Sequence, residues 1–287
     1  MVSNPAMLAG QVCISYNICS FSGSHRIKII IEEGAVATVA AGVDQSRRLA
    51  RPFPGRRHEH VFFSVTAVLM LGTVLVGFAC SYYLAGVFHQ PLPGPLVIHG
   101  HAVAFTCWIF LLVAQTSLAS ARRLDIQRML GMAGFLLACL MVVLGVWAAT
   151  ESLAHPVRLL GRDGKAFYIM PLSSMLMFAV LTFFAFRCRS DPTAHKRLIR
   201  LATCSLLVAA IARWPWPVVE RKVDIATLVS FAFLLLLLAY DLWSMRRIHS
   251  ATLWGSAFLV FVSLIRFPIS RTTAWHDFAT WILDLVT

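Results

Sequence analysis

His101, Trp108, Gln115 and Arg122 follow one another at intervals of seven residues. On an α-helix they lie nearly on one face, drifting about 20° per step. Imidazole, indole, carboxamide and guanidinium together make a donor and acceptor set. Inside a membrane such groups are costly enough to mark a ligand site by default. His99 stands two residues before His101, roughly 200° around the helix, so the stripe belongs to His101. His195 and Arg213 form a second stripe, eighteen residues apart, which is five turns or about 27 Å along one face. If the two segments pack antiparallel, Arg213 comes level with His101 at one end. His195 then comes level with Gln115, Arg122 and Gln127 at the other, giving one candidate polar site per leaflet.

The chemistry such sites could hold is that of a redox ligand. A b-type haem needs two imidazoles at similar depth on facing helices, with arginines for the propionates. On one side His101 or His99 has only the loop histidines His89 and His155 as partners, and on the other His195 faces Gln127. A five-coordinate haem or a quinone held by His101, Trp108 and Arg213 fits this set as well. The expected function is therefore binding of a haem or quinone-like ligand between the second and fifth apolar segments. A non-catalytic membrane subunit or assembly factor, and a small-solute transporter, are the alternatives. Arg213 would need Glu151 or a bound anionic group as its counter-charge. Ordinary roles compete with each assignment: interfacial histidines, arginines snorkelling to lipid phosphate, and a tryptophan that is simply core. Asp241 reads as a partner for Arg246 or Arg247. No H-E-x-x-H or G-x-S-x-G motif occurs, which disfavours an intramembrane protease or hydrolase.

The elements that must position these residues are membrane spans. Apolar residues make up 59% of the 287, charged residues 13%, and mean hydropathy is +0.75. A soluble domain carries about 25% charged residues. Apolar segments fall at roughly 61–86, 96–120, 129–150, 168–187, 198–217, 224–244 and 252–269, each near the 17 to 25 residues a span needs. The formal charge of +12 sits in short clusters between them, a pattern that encodes topology and argues for a lipid bilayer and against nucleic acid as partner. With the N-terminus inside, fifteen lysines and arginines fall on the cytoplasmic side and eight on the outer side, favouring N-inside and C-outside. The expected fold is all-α, a polytopic bundle of about seven spans over residues 58–271.

The ends differ from the bundle. From Thr272 the residues Trp275, Phe278, Trp281, Ile282 and Leu285 share one helical face, so 272–287 reads as an amphipathic helix on the outer leaflet. Residues 1–57 lack a sustained apolar run and read as a disordered tail or a leader misread as protein. In the second case Glu32-Glu33-Gly34 encodes a purine-rich ribosome-binding sequence and Val36 is the start. Seven cysteines are dispersed without a C-x-x-C pair and read as small hydrophobes, with no metal site.

Leu96 to Pro215 resembles a family of uncharacterised bacterial predicted membrane proteins. The features shared are a histidine opening one span (His99 or His101), Gln115 near its end and Arg122 or Arg123. Then come Gln127-Arg128-x-x-Gly131 and His195-Lys196-Arg197 opening a span that ends in Arg213. Gln127 stands where the pattern has histidine. The resemblance implies a helical fold and a bacterial inner-membrane location, and it brings no established activity.

Overall fold

The computed structural model describes residues 56–89, 94–121, 123–154, 163–220 and 222–286. The readings made on residues 1–55, and on Arg122 and His155, lie outside the described residues. Those described are all-α, without strands. α1 runs Arg56–Phe78 and continues through a π-helical turn, Ala79–Tyr83. It is followed by α2 (Leu96–Ser120), α3 (Leu124–Ala154), α4 (Gly164–Arg187) and α5 (Pro192–Ile211). The last three are α6 (Val223–Met245), α7 (Ser250–Ile269) and α8 (Thr273–Val286). Six of them, all but α5 and α8, are long and apolar enough to cross a membrane. This is a multi-pass membrane protein.

Local chemistry sets the boundaries. Asp191 accepts from the Thr193 and Ala194 backbone N–H groups at 2.9 and 3.2 Å, and Pro192 takes the first helical position. An Asp-Pro pair both caps a helix and suits its N1 site, so α5 begins six residues before the sequence expectation. It also ends six residues early, at Ile211, because the prolines at 215 and 217 disfavour helix in the residues before them. Arg213 therefore lies beyond the helix, in the turn that follows. α4 likewise starts at Gly164, where the Asp163 carboxylate accepts from Lys165 N–H. Pro171 consequently sits inside α4.

α5 is the axis of the bundle. Fourteen of its 20 residues are buried, against five of 25 in α2, and it packs against α1, α4, α6 and α7. It runs parallel to α1: Lys196 pairs with Glu59 at one end, and Ala210 meets Gly77 at the other. A Cβ added to Gly77 would stand 2.1 Å from the Ala210 carbonyl oxygen, so the missing side chain permits that approach. Small residues serve membrane helices in this way because lipid supplies no hydrophobic drive between them. α2 and α3 form a peripheral pair, and α3 turns Met129, Met132, Leu136, Leu140, Val143 and Trp147 outward.

α8 packs on the ends of α3 and α4. Ala279 is fully buried against Ala149, Leu153 and Tyr168, Trp275 Nε1 donates to the Lys165 carbonyl (2.8 Å), and Lys165 Nζ donates to Thr280 (2.8 Å). The single aromatic face expected for the tail is thus divided. Trp275 and Ile282 join the bundle, while Phe278, Trp281 and Leu285 stay exposed.

Candidate functional site

The stripe on α2 does not converge on one site. The His101 ring lies against Gly145 of α3 and Met175 of α4. A Cβ on Gly145 would be 3.0 Å from His101 Cε1 and 2.3 Å from Met175 Sδ. His101 Nδ1 is buried and has no hydrogen-bond partner. One heptad on, Trp108 is buried with its Nε1 donating to Thr203 Oγ1 of α5 (3.2 Å) and its ring edge-on to Phe178 of α4 at 4.9 Å. Gln115 donates to the Gln127 carbonyl of α3 at 3.1 Å. His99 is on the other side, with Nδ1 3.2 Å from the Tyr82 hydroxyl.

Arg213 corrects the expected geometry. Its guanidinium bonds the Ala209 carbonyl (2.6 Å) and lies 5.0 Å over the Phe78 ring of α1, on an exposed surface. It does not join His101, which faces α3 and α4. Helices α2 and α5 touch through Trp108 and Thr203, at the seam where a ligand between them was expected. His195, half-buried, places Nδ1 2.8 Å from the Ala185 carbonyl in the last turn of α4. Such carbonyls have no partner within their own helix, so His195 joins α4 to α5.

The buried charges lie elsewhere, on α5, α6 and α7. Arg197 and Asp241 are 1% and 0% exposed. Arg197 donates from Nε (3.0 Å) and Nη2 (2.7 Å) to Asp241 Oδ1, and from Nη1 to the Thr193 carbonyl (2.9 Å). Asp241 Oδ2 accepts from Thr252 Oγ1 (2.6 Å) and His249 N–H (3.1 Å). Every lone pair that matters is used, as a buried ion pair requires. Asp241 therefore pairs with an arginine 44 residues earlier, not with the adjacent Arg246 or Arg247. The sequence shows a carboxylate inside an apolar run and a His-Lys-Arg opening a helix, but not that one answers the other. In the α6–α7 connection, His249 Nδ1 accepts from Ala251 N–H (3.1 Å) and caps α7. Burial, and then the Arg197 charge, hold the His249 pKa below the usual histidine range.

Two further buried arginines form no ion pair with a carboxylate among the described residues. Arg200, 4% exposed, donates from Nη2 to the Phe63 carbonyl of α1 at 2.5 Å and lies 5.4 Å over the Phe63 ring. Its Nε is buried with no partner. It lines a crevice of about 10 Å3, room for one water, together with Phe62, Thr66 and Met70 of α1 and Phe233 and Leu237 of α6. Towards the Glu59 end, Phe62 stacks on Tyr240 at 4.0 Å, and His58 meets Trp243 edge-on at 5.9 Å. Arg266 of α7, 1% exposed, donates to Thr227 Oγ1 (2.6 Å) and Ser173 Oγ (3.4 Å), again with an unpartnered Nε. Neither motif nor spacing marked these two. Their signal was only that each is an arginine on the predominantly apolar stretch of its helix.

No protein-family model matches the chain, and no curated protein or solved structure does. Architecture and side-chain chemistry carry the functional reading.

Proposed function

We propose that this chain crosses a bacterial inner membrane seven times, N-terminus inside, and binds a lipid-soluble ligand of quinone type in a redox role. The resemblance of Leu96–Pro215 to bacterial membrane proteins and the arginine bias support location and orientation. For the seventh span, the support is the path of α5 beside α1 from Glu59 to Gly77. Lys196, Arg197 and Arg200 keep α5 from reading as apolar, yet Glu59, Asp241 and the Phe63 carbonyl answer them inside the bundle. α8 lies on the outer leaflet in this arrangement.

The ligand reading moves from the α2–α5 seam to the crevice between α1 and α6. One observation carries it: the Arg200 Nε–H is buried, unpartnered and set in a crevice with aromatic lips. An unsatisfied charged donor in hydrocarbon calls for an acceptor. The stacked Phe62 and Tyr240 shield the crevice from the Glu59 end, which favours entry sideways from lipid. The crevice has room for one water, so only a quinone carbonyl oxygen would enter it towards Nε, with the ring outside on the lipid-facing side of α1 and α6. A hydrogen bond to a charged group contributes about 1.5 to 3 kcal/mol. Decylubiquinone should therefore quench tryptophan fluorescence of the detergent-purified protein saturably, with affinity roughly 10- to 100-fold weaker in Arg200→Met. Equal quenching in the two proteins would refute the assignment. The haem reading rests on the bare Nδ1 of His101 beside Met175, and an absorbance spectrum with and without dithionite tests it directly.

A further inference from the structure

α7 opens on a histidine. His249 is its N-cap, and Nδ1 accepts from the Ala251 N–H at 3.1 Å. Asn, Asp, Ser and Thr are the usual caps, and their side chains do not change charge between pH 5 and 8 as histidine does. The ring can accept at Nδ1 only while it is neutral, with its proton on Nε2. The His249 backbone N–H donates to Asp241 Oδ2 of α6 (3.1 Å), and Thr252 Oγ1 of α7 donates to the same oxygen (2.6 Å). These bonds tie together two helices that otherwise touch little, because α7 packs chiefly on α5 and α4.

The turn between them is held closed by these bonds and not by its own preference. α6 ends at Met245, and Arg246 has a φ of 55°, a left-handed conformation uncommon for residues with a side chain. Arg246, Arg247 and Ile248 are exposed and His249 is half-buried, within reach of protons from water. The charged groups that act on the ring are Arg197 of α5, Asp191 at the α5 N-cap, Asp241 of α6 and Arg247 of the turn. The two carboxylates favour an imidazolium, and the two guanidiniums oppose it. Burial, and then Arg197, prevail and hold the pKa below the usual histidine range. The α7 N-terminus also opposes an imidazolium, because the helix dipole is positive there. The closed turn therefore selects the neutral ring, and a protonated ring has to leave the cap.

We propose that His249 is a proton-released latch on the α6–α7 turn. Neutral, it fastens the first turn of α7 to α6. Protonated, it gives up the Ala251 N–H, and the backbone from Arg246 to Ala251 opens while Arg197 keeps its hold on Asp241. In the N-inside orientation this turn faces the cytoplasm, so acidification on that side is the signal. The test is hydrogen–deuterium exchange of the detergent-purified full-length protein at pH 7.5 and 5.0, with rates corrected for their intrinsic pH dependence. In the wild type, protection of the His249 and Ala251 amides should fall roughly five- to tenfold at the lower pH, the effect of losing one N-cap. The middle of α7 should keep its protection. In His249→Asn, which retains a capping acceptor that does not titrate, protection should be equal at the two pH values, and in His249→Ala it should be low at both. Wild-type protection that ignores pH would overturn the proposal, as would a fall retained in His249→Asn. A fall spread evenly along α7 would overturn it too, because that is general acid unfolding and not the opening of one turn.

Discussion

At the scale of single residues, this protein separates buried charges that are answered from buried charges that are not. Arg197 and Asp241 satisfy each other, and Thr252 and the His249 backbone N–H complete the carboxylate. Removing one member strands the other. Asp241→Asn should lower unfolding stability by about 3 to 5 kcal/mol, measured by denaturation in mixed micelles. The double variant Arg197→Met/Asp241→Leu should cost less than that single change, because no unpaired charge is left. His249 adds a pH dependence. Its pKa is depressed by burial and by Arg197, so the unfolded chain takes up its proton first as pH falls. The stability held by the neutral ring is complete above the unfolded value of about 6.5 and is lost as pH falls from there through the lower folded value. The melting point should therefore drop between pH 7.5 and 5.5 in the wild type, and drop less in His249→Asn, which keeps a capping acceptor that does not titrate.

At the scale of helices, close approach and burial decide what each element tolerates. Gly77 lets α1 lie on the Ala210 backbone of α5, and a methyl there meets a carbonyl oxygen, not a flexible side-chain tip. Gly77→Ala should destabilise by about 1 to 3 kcal/mol, with a lowered melting point as the readout. On α8 the two faces predict opposite outcomes. Trp281 is 56% exposed and Ala279 is 0% exposed. Trp281→Glu should leave the stability of the bundle within about 0.5 kcal/mol of wild type, read as a nearly unshifted melting point. Ala279→Glu should release the helix from Tyr168 and Leu153, exposing residues after 272 to limited proteolysis.

At the scale of the whole molecule, the question is how many times the chain crosses. If α5 traverses the bilayer as α1 does, reporters fused after Arg123 and Arg189 should register as cytoplasmic, and reporters after Arg162 and at the C-terminus as exterior. A cytoplasmic C-terminus would leave six crossings, with α5 as a buried helix that does not span. The two counts differ only in what a helix bearing Lys196, Arg197 and Arg200 is allowed to do. The packing of its flanks against four neighbours is the reason a seventh crossing is physically acceptable.

The sequence alone determined that this is a helical membrane protein, because hydropathy over some twenty residues is a local sum that needs no knowledge of neighbours. It placed α2, α6 and α7 to within a few residues, again from hydropathy. It missed the starts of α4 and α5, where the caps of Asp163, Asp191 and Pro192 outweigh hydropathy, and the end of α5, which the prolines at 215 and 217 set. It could not say which helices touch. Heptad spacing put His101, Trp108 and Gln115 on one face, but only tertiary packing assigned that face to three different sets of neighbours. Asp241 was read as the partner of a nearby arginine because sequence offers only nearness along the chain, whereas the ion pair joins residues 44 positions apart. An arginine in an apolar helix is legible as costly. Whether it is paired, as Arg197 is, or left wanting, as Arg200 and Arg266 are, depends on side chains brought in from other helices, and that only the fold decides.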